Sequence, residues 1–349
     1  MKIVLQFQSE GLPVLQACKI AGMSKSTFYN YSKEKIKTDK KRGRRPPGYS
    51  LNKTGEVITD IEIVKEIEEI NTIEYLDYGY LYTTAELKNR GLRIKKEKVY
   101  RLMAENNLLK KRRRSKAANK KFVQWKDKPI PKKPLEVLQI DLKYIYIHGI
   151  RRNAYLATLI DTFTSEVLIW DLSLSMKSKD IWSLIEKAGN KFKFNEEVKV
   201  TMISDNGPQF ISKALRERID HQNIDHLFIK YATPQMNAYI ESYHSRVQKL
   251  VCDKFEFIDL EHAKLIMIEF VETYNNQRIN KSLAFYSPIE FKKQWKEGKI
   301  IQIIGENNKY YFKRKKQCEE HTVPFLSEVF YLGNTKMQEK TIPLQNRTN

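Results

Sequence analysis

Three carboxylates stand in local sequences unlike the rest of the chain. Asp141 sits in VLQIDLKYIYI, Asp205 in VTMISDNGPQF and Glu241 in ATPQMNAYIESYHSRVQKL, with thirty-five residues between the last two acids. The first two acids interrupt or end apolar, β-rich runs, and the third falls in a helix-like stretch. Acids gathered from two strands and a helix make an all-oxygen site for hard divalent cations, the kind of site that cuts and joins phosphodiesters. A single Asp at a strand end is ordinarily a turn cap, and a single Glu in a first helical turn is ordinarily a partner of the helix dipole. The three together, in these flanks, point to one shared site.

The elements that must position them begin near Leu135. VLQIDLKYIYI, AYLATLID and TSEVLIWDLS read as three consecutive strands on short turns. Residues 179–192 form an amphipathic helix, and VKVTMISD is a buried strand ending at Asp205. PQFISKALRERI reads as one helix with Pro208 in its first turn, and DHLFIKYAT as a further strand. Residues 237–252 and 260–277 are helical, and SPIEFKKQW closes with a short helix. The tail beyond Lys299 has isolated strand-like pieces, IIQII and KYYFKRK. Three strands, a helix, a parallel strand and further helices give an α/β sheet of the ribonuclease-H type. Asp141 is expected within the first, central strand. Asp205 is expected at the carboxyl end of the next parallel strand, where open sheets place their ligands, with Asn206 and Gly207 making a tight turn after it. Glu241 is expected one turn into its helix, facing the sheet.

The residues before this core read as all-α segments that bind DNA. LPVLQACKIAGMSKSTFYNY gives a helix, a break at Gly22, a cap at Ser24 and a second helix, the helix-turn-helix pattern. Lys25 and Ser26 open that second helix. Residues 33–45 carry eight basic residues and two acids, then Pro46, Pro47 and Gly48. Beside such a unit the run, with Arg44 and Arg45, reads as an arm on phosphates. Residues 56–109 read as helical, with Thr84 as a cap, Gly91 as a helix stop, and Lys95, Lys96, Lys98 and Arg101 on the outer face of the last helix. Residues 110–121 hold eight basic residues and no acids, Arg112, Arg113 and Arg114 among them, and three prolines follow by residue 134. The expected division is residues 1–32 helix-turn-helix, 33–55 basic linker, 56–113 second helical DNA-binding domain, 114–134 basic Pro-rich linker, 135–297 catalytic core and 298–349 small C-terminal tail.

Composition narrows the function class. A formal charge of +21 and a pI near 9.6 favour a polyanionic partner, nucleic acid first. Cys18, Cys252 and Cys318 are odd in number and far apart, which indicates no disulfide framework, and without a CxxC pair the sequence gives no sign of a zinc knuckle or ribbon. No apolar stretch is long enough to span a bilayer. The expectation is a cytoplasmic protein, associated with the bacterial nucleoid, with no membrane partner.

With QID at Asp141, SDNGPQF at Asp205 and YATPQMNAYIESYH at Glu241, the segment from about residue 135 to 295 resembles the integrase catalytic core of bacterial insertion-sequence transposases and retroviral integrases. FVETYNNQRINKSLAFYSPIEF resembles the segment closing that core. GYLYTTAELKNRGLRIKKEKVYRLMAENNLL resembles the helical DNA-binding segment before it. The resemblance implies an enzyme that binds terminal inverted repeats of a mobile element, cuts its 3′ ends and joins them to target DNA. It implies Asp141, Asp205 and Glu241 as ligands of two Mg²⁺ ions, with Mn²⁺ as a substitute, double-stranded DNA as partner (element ends and target) and a homo-oligomer on DNA. Such enzymes often carry a basic residue seven positions after the glutamate; here that position is Gln248, with Arg246 and Lys249 beside it. His244 reads equally as a substrate contact or a polar surface residue. The alternatives are a DNA-binding regulator with an inert core and a plain ribonuclease-H nuclease. Intact acids argue against the first, and two upstream DNA-binding segments against the second.

Overall fold

A computed structural model describes residues 2–32, 47–110, 129–194, 199–222, 224–229, 234–305 and 310–315. Residues 1–63 and 64–349 form two compact units.

In the first unit, α1 (Lys2–Ser9), α2 (Val14–Ile20) and α3 (Lys25–Ser32) enclose Val4, Ala17, Cys18 and Phe28. Gly22 takes a left-handed φ of +62° between α2 and α3, and the Thr27 N–H donates to Ser24 Oγ at 3.0 Å, so the expected break and cap are both in place. Sequence reading had no helix at α1. β1 (Tyr49–Asn52) and β2 (Val57–Thr59) form an antiparallel hairpin where a linker and then a helix were expected. The reason lies in the turn: Asn52, Thr54 and Glu56 hydrogen-bond one another across Gly55, which sits at φ +92°.

α4 (Asp60–Thr72) runs across the boundary into the second unit. There α5 (Tyr80–Asn89), the two-residue strand β3 (Leu92–Arg93) and α6 (Lys96–Glu105) follow. Thr84 is not a cap: it lies inside α5 and donates to the Tyr80 carbonyl at 2.6 Å, while Gly79 holds the N-cap position. Gly91 ends α5 as expected, at φ +104°. The stretch 64–110 is not detached from the core, because the half-buried Arg278 guanidinium donates to the Tyr75 and Leu76 carbonyls, and the Ile279 N–H donates to the Tyr78 hydroxyl at 2.7 Å.

The core sheet is built from β4 (Val137–Ile147), β5 (Arg152–Asp161) and β6 (Val167–Ser173), then α7 (Ser178–Phe192), β7 (Thr201–Ser204), α8 (Pro208–Ile211), α9 (Lys213–His221) and β8 (Asp225–Phe228). The strand order is β6-β5-β4-β7-β8. β5 runs antiparallel to both β4 and β6, and β7 and β8 run parallel to β4. This is the ribonuclease-H-like sheet, with β4 central. PQFISKALRERI is two helices, because Ser212 turns extended (φ −62°, ψ 137°) and its side chain caps α9 at Leu215.

α10 (Ala238–Val247) continues as a π-helical turn, Gln248–Cys252; α11 (Leu260–Asn276) and α12 (Pro288–Lys296) follow. One face of the sheet packs Ile145, Ile147, Leu156 and Leu172 against α10 and α11. The other packs Leu138, Ile140 and Leu159 against α7 and α9. The tail is more than isolated pieces: β9 (Ile300–Ile304) pairs with β10 (Tyr310–Arg314), and Ile300 and Phe312 are buried against Phe163, Leu283 and Phe291.

Candidate active site

Alternation along β4 sends Gln139, Asp141, Lys143 and Ile145 to the face covered by α10. Gln139 is fully buried and ties the two elements. Its Nε2 donates to the Met236 carbonyl at 2.7 Å, and its Oε1 accepts the Ile240 N–H at 3.0 Å. That N–H is one of the first-turn amides a helix leaves unpaired. The N-cap Asn237 makes no side-chain cap, so the strand supplies it.

Asp141 is half-buried; its Oδ1 accepts the Leu142 N–H at 2.9 Å and its Oδ2 lies 3.5 Å from His244 Nδ1. The β4–β7 register pairs Val137 with Thr201 and Gln139 with Ile203. Continued for two residues, it puts Asp141 level with Asp205, which directly follows β7. Partial burial pushes the Asp205 carboxyl above its usual range and the Asp141 charge adds to this, while the Gly207 N–H, donating to Oδ1 at 3.0 Å, opposes it. Gly207 leaves room for the carboxylate, since a Cβ there would stand 3.0 Å from Asp205 Oδ1 and 2.9 Å from Gln209 Oε1.

Glu241 lies in the first turn of α10 but is exposed. The sheet-facing positions of that helix are Ile240, Tyr243, His244 and Val247, and a residue directly after Ile240 is rotated off that face. The expectation that Glu241 faces the sheet is therefore corrected: His244 holds the place opposite Asp141. Among the described residues no three His, Cys, Asp or Glu side chains are gathered closely enough to hold a metal ion. The aspartate pair fits a hard divalent cation by its donor chemistry, two carboxylates from neighbouring strands whose mutual repulsion a cation relieves. Glu241 stands outside that pair.

The basic residues divide. Gln248, at the position where a base was expected, accepts from Lys143 Nζ at 2.8 Å and donates to Asp253 Oδ1 at 2.8 Å. Arg246 turns back to Ser242 of its own helix, and Lys249 pairs with Asp77, which also pairs with Lys110. Lys95 and Lys96 are exposed at the start of α6, Lys98 and Arg101 are half-buried, and Arg101 pairs with Glu105. Lys25 and Ser26 are exposed on α3. Arg44, Arg45, Arg112, Arg113 and Arg114 lie outside the described residues. Sequence reading missed Gln139 and Lys143. The signal was there: a central strand otherwise apolar on its helix-covered face is polar at three successive inward positions.

Residues 131–234 match a family model described as Integrase core domain, and residues 222–288 match a second model of the same description. An uncharacterized 31.7 kDa protein of insertion element IS407 from Burkholderia multivorans is 26% identical over 214 residues, 61% of this chain and 75% of that protein. The putative transposase InsK for IS150 from Escherichia coli is 24% identical over 289 residues, 81% of this chain and 94% of that protein. Among solved structures, the HTLV-2 integrase catalytic core domain in complex with magnesium is 17% identical, with a TM-score of 0.36, over 46% of this chain and 98% of that one. Sheet order and family matches define a polynucleotidyl transferase with a ribonuclease-H-like core. Residues 131–288 match integrase-core models, and the chain is similar to transposases of insertion sequences. Among the described residues no helix is long and apolar enough to cross a membrane.

Proposed function

We propose that this transposase binds the terminal repeats of its element, cleaves the 3′ ends and joins them to target DNA. The observation that carries the reading is the pair Asp141, inside β4, and Asp205, directly after the carboxyl end of the neighbouring parallel strand β7, which the strand register brings level. In this reading Asp141 and Asp205 hold divalent cations, Mg²⁺ or Mn²⁺, with Glu241 as the third carboxylate from α10. Bound there, two such ions activate the attacking oxygen and stabilise the leaving one. The chain's own part is to fix the acids, Asp141 by its strand and Asp205 by the Gly207 turn, and to bring DNA to them. The net charge of +21 supports DNA as the partner, and the basic segments around residues 33–45 and 110–121 suit contact with phosphates. Residues 1–32 and the helices before residue 110 are proposed to read the element ends, in a homo-oligomer assembled on DNA in the cytoplasm.

The test uses the full chain, Mg²⁺ and a duplex taken from the DNA flanking the gene. Asp141→Asn, Asp205→Asn and Glu241→Gln should each lower strand cleavage at least about a thousandfold, since several kcal/mol of charge stabilisation is lost at tenfold per ~1.4 kcal/mol. Duplex binding should persist. Full cleavage by any one variant removes that residue from the site.

A further inference from the structure

β4 and α10 meet in three rungs. Gln139, Asp141 and Lys143 are two residues apart on one strand face. Their partners Ile240, His244 and Gln248 are four residues apart on the helix and its π-turn. The repeats match, since two strand residues advance ~6.6 Å and four helical residues ~6.0 Å. The rungs are 3.0 Å from Gln139 Oε1 to Ile240 N, 3.5 Å from Asp141 Oδ2 to His244 Nδ1, and 2.8 Å from Lys143 Nζ to Gln248 Oε1.

The third rung differs in charge. Lys143 is half-buried, yet its partner is a neutral amide, and among the described residues no carboxylate lies within ion-pair distance of it. Other lysines of this unit are neutralised: Lys249 and Lys110 by Asp77, Lys199 by Asp225, Lys292 by Glu166. Gln248 is itself oriented, because its Nε2 donates to Asp253 at 2.8 Å, which leaves only its carbonyl oxygen for Lys143. The Lys143 ammonium therefore keeps its full charge beside a neutral acceptor. It is held in place one strand step from the carboxylate pair, on the same face.

We propose that Lys143 binds a backbone phosphate of the reacting DNA strand, next to the bond placed at Asp141 and Asp205, with Gln248 and Asp253 as the positioning pair. The proposal rests on the transposase reading and adds a substrate-binding residue to it. A single strand presents one charge per ~3.4 Å of duplex axis, so a phosphate one or two steps from the reacting one falls within reach of a cation ~6.6 Å along the strand. The amide of Gln248 releases an ammonium to a phosphate more readily than a carboxylate does, because charged partners bind roughly twice as strongly.

The experiment compares the full chain with Lys143→Gln and Lys143→Arg. Each is titrated against the flanking-DNA duplex over a salt series and assayed for Mg²⁺-dependent cleavage. Lys143→Gln should reduce the slope of log affinity against log salt by about 0.9, the value for one duplex phosphate, and lower cleavage about tenfold. Lys143→Arg, which keeps the charge, should keep both. Unchanged slope and cleavage in Lys143→Gln overturn the proposal. So does an equal loss in Lys143→Arg, which would make Lys143 a packing residue. A parent chain that neither binds nor cuts the duplex overturns the transposase reading instead, and the proposal with it.

Discussion

At one end of the seam between β4 and α10, Gln139 is fully buried and both ends of its amide are hydrogen-bonded. At the other end Lys143 is half-exposed and rests on a side chain that a solvent-borne anion can replace. The closed end fixes where the helix begins and so where Glu241 and His244 stand. The open end fixes nothing in the core and keeps a charge for substrate. A site that handles a long polyanion needs both, rigidity behind the reacting centre and an unsatisfied cation in front of it.

The largest break in this comparison comes from Gln139→Leu, which keeps side-chain volume and removes the amide. It orphans the Ile240 N–H and the Met236 carbonyl, at about 1–3 kcal/mol for each buried group. Denaturant unfolding should show a loss of that size, with cleavage falling in parallel because the helix start is released. Unfolding at the parent midpoint would show that α10 is held by its apolar face alone. Gly207→Ala sharpens the same point on the Asp205 side. The added Cβ at 3.0 Å from the Asp205 carboxylate forces that side chain to turn, whereas Gln209 can swing away. Cleavage should drop between about tenfold and a hundredfold, the usual penalty for a misplaced reacting group, while the melting temperature stays near the parent's. A fully active variant would mean that the Asp205 rotamer is not set by this turn.

These two residues also show what was legible beforehand. The strands around Asp141 and Asp205 could be read because β-branched runs and the SDNGP turn are local signals, and the parallel step from β4 to β7 follows from the helix between them. The phase of α10 was not legible. Whether Glu241 or His244 meets the sheet depends on rotation about the helix axis, set by Tyr243, Val247 and the Gln139 cap, and the cap comes from a strand about a hundred residues away. The contacts that tie residues 64–110 to the core were not legible for a similar reason. The contacts made by Arg278 on the Tyr75 and Leu76 carbonyls link positions about two hundred residues apart and leave no periodic trace. The hairpin at residues 49–59 was lost beside a run of lysines and arginines that dominates its composition.

The smallest expected effect tests the contrast between Lys143 and Lys249. Partial burial pushes the Asp77 carboxyl up, but hydrogen bonds and charges from Lys110 and Lys249 outweigh it and hold the group at about 2. A carboxyl depressed in the folded state adds stability above its unfolded value, and that stability is lost as pH falls through the folded value. The parent chain should therefore lose part of its stability between its ordinary value of 3.8 and about 2. Asp77→Asn should lack that component. The loss at neutral pH should stay below about 1 kcal/mol, since both lysines are substantially exposed. The same substitution frees two cations beside the open end of the seam. The slope of log affinity against log salt for a DNA duplex should then steepen by up to about 1.8, two phosphates at 0.9 each. A steeper slope in Asp77→Asn with a shallower one in Lys143→Gln would separate a masked cation from one already poised for the backbone. An unchanged slope in Asp77→Asn would show that Lys110 and Lys249 leave Asp77 for DNA in the parent chain, and that the ion pair is no barrier to binding.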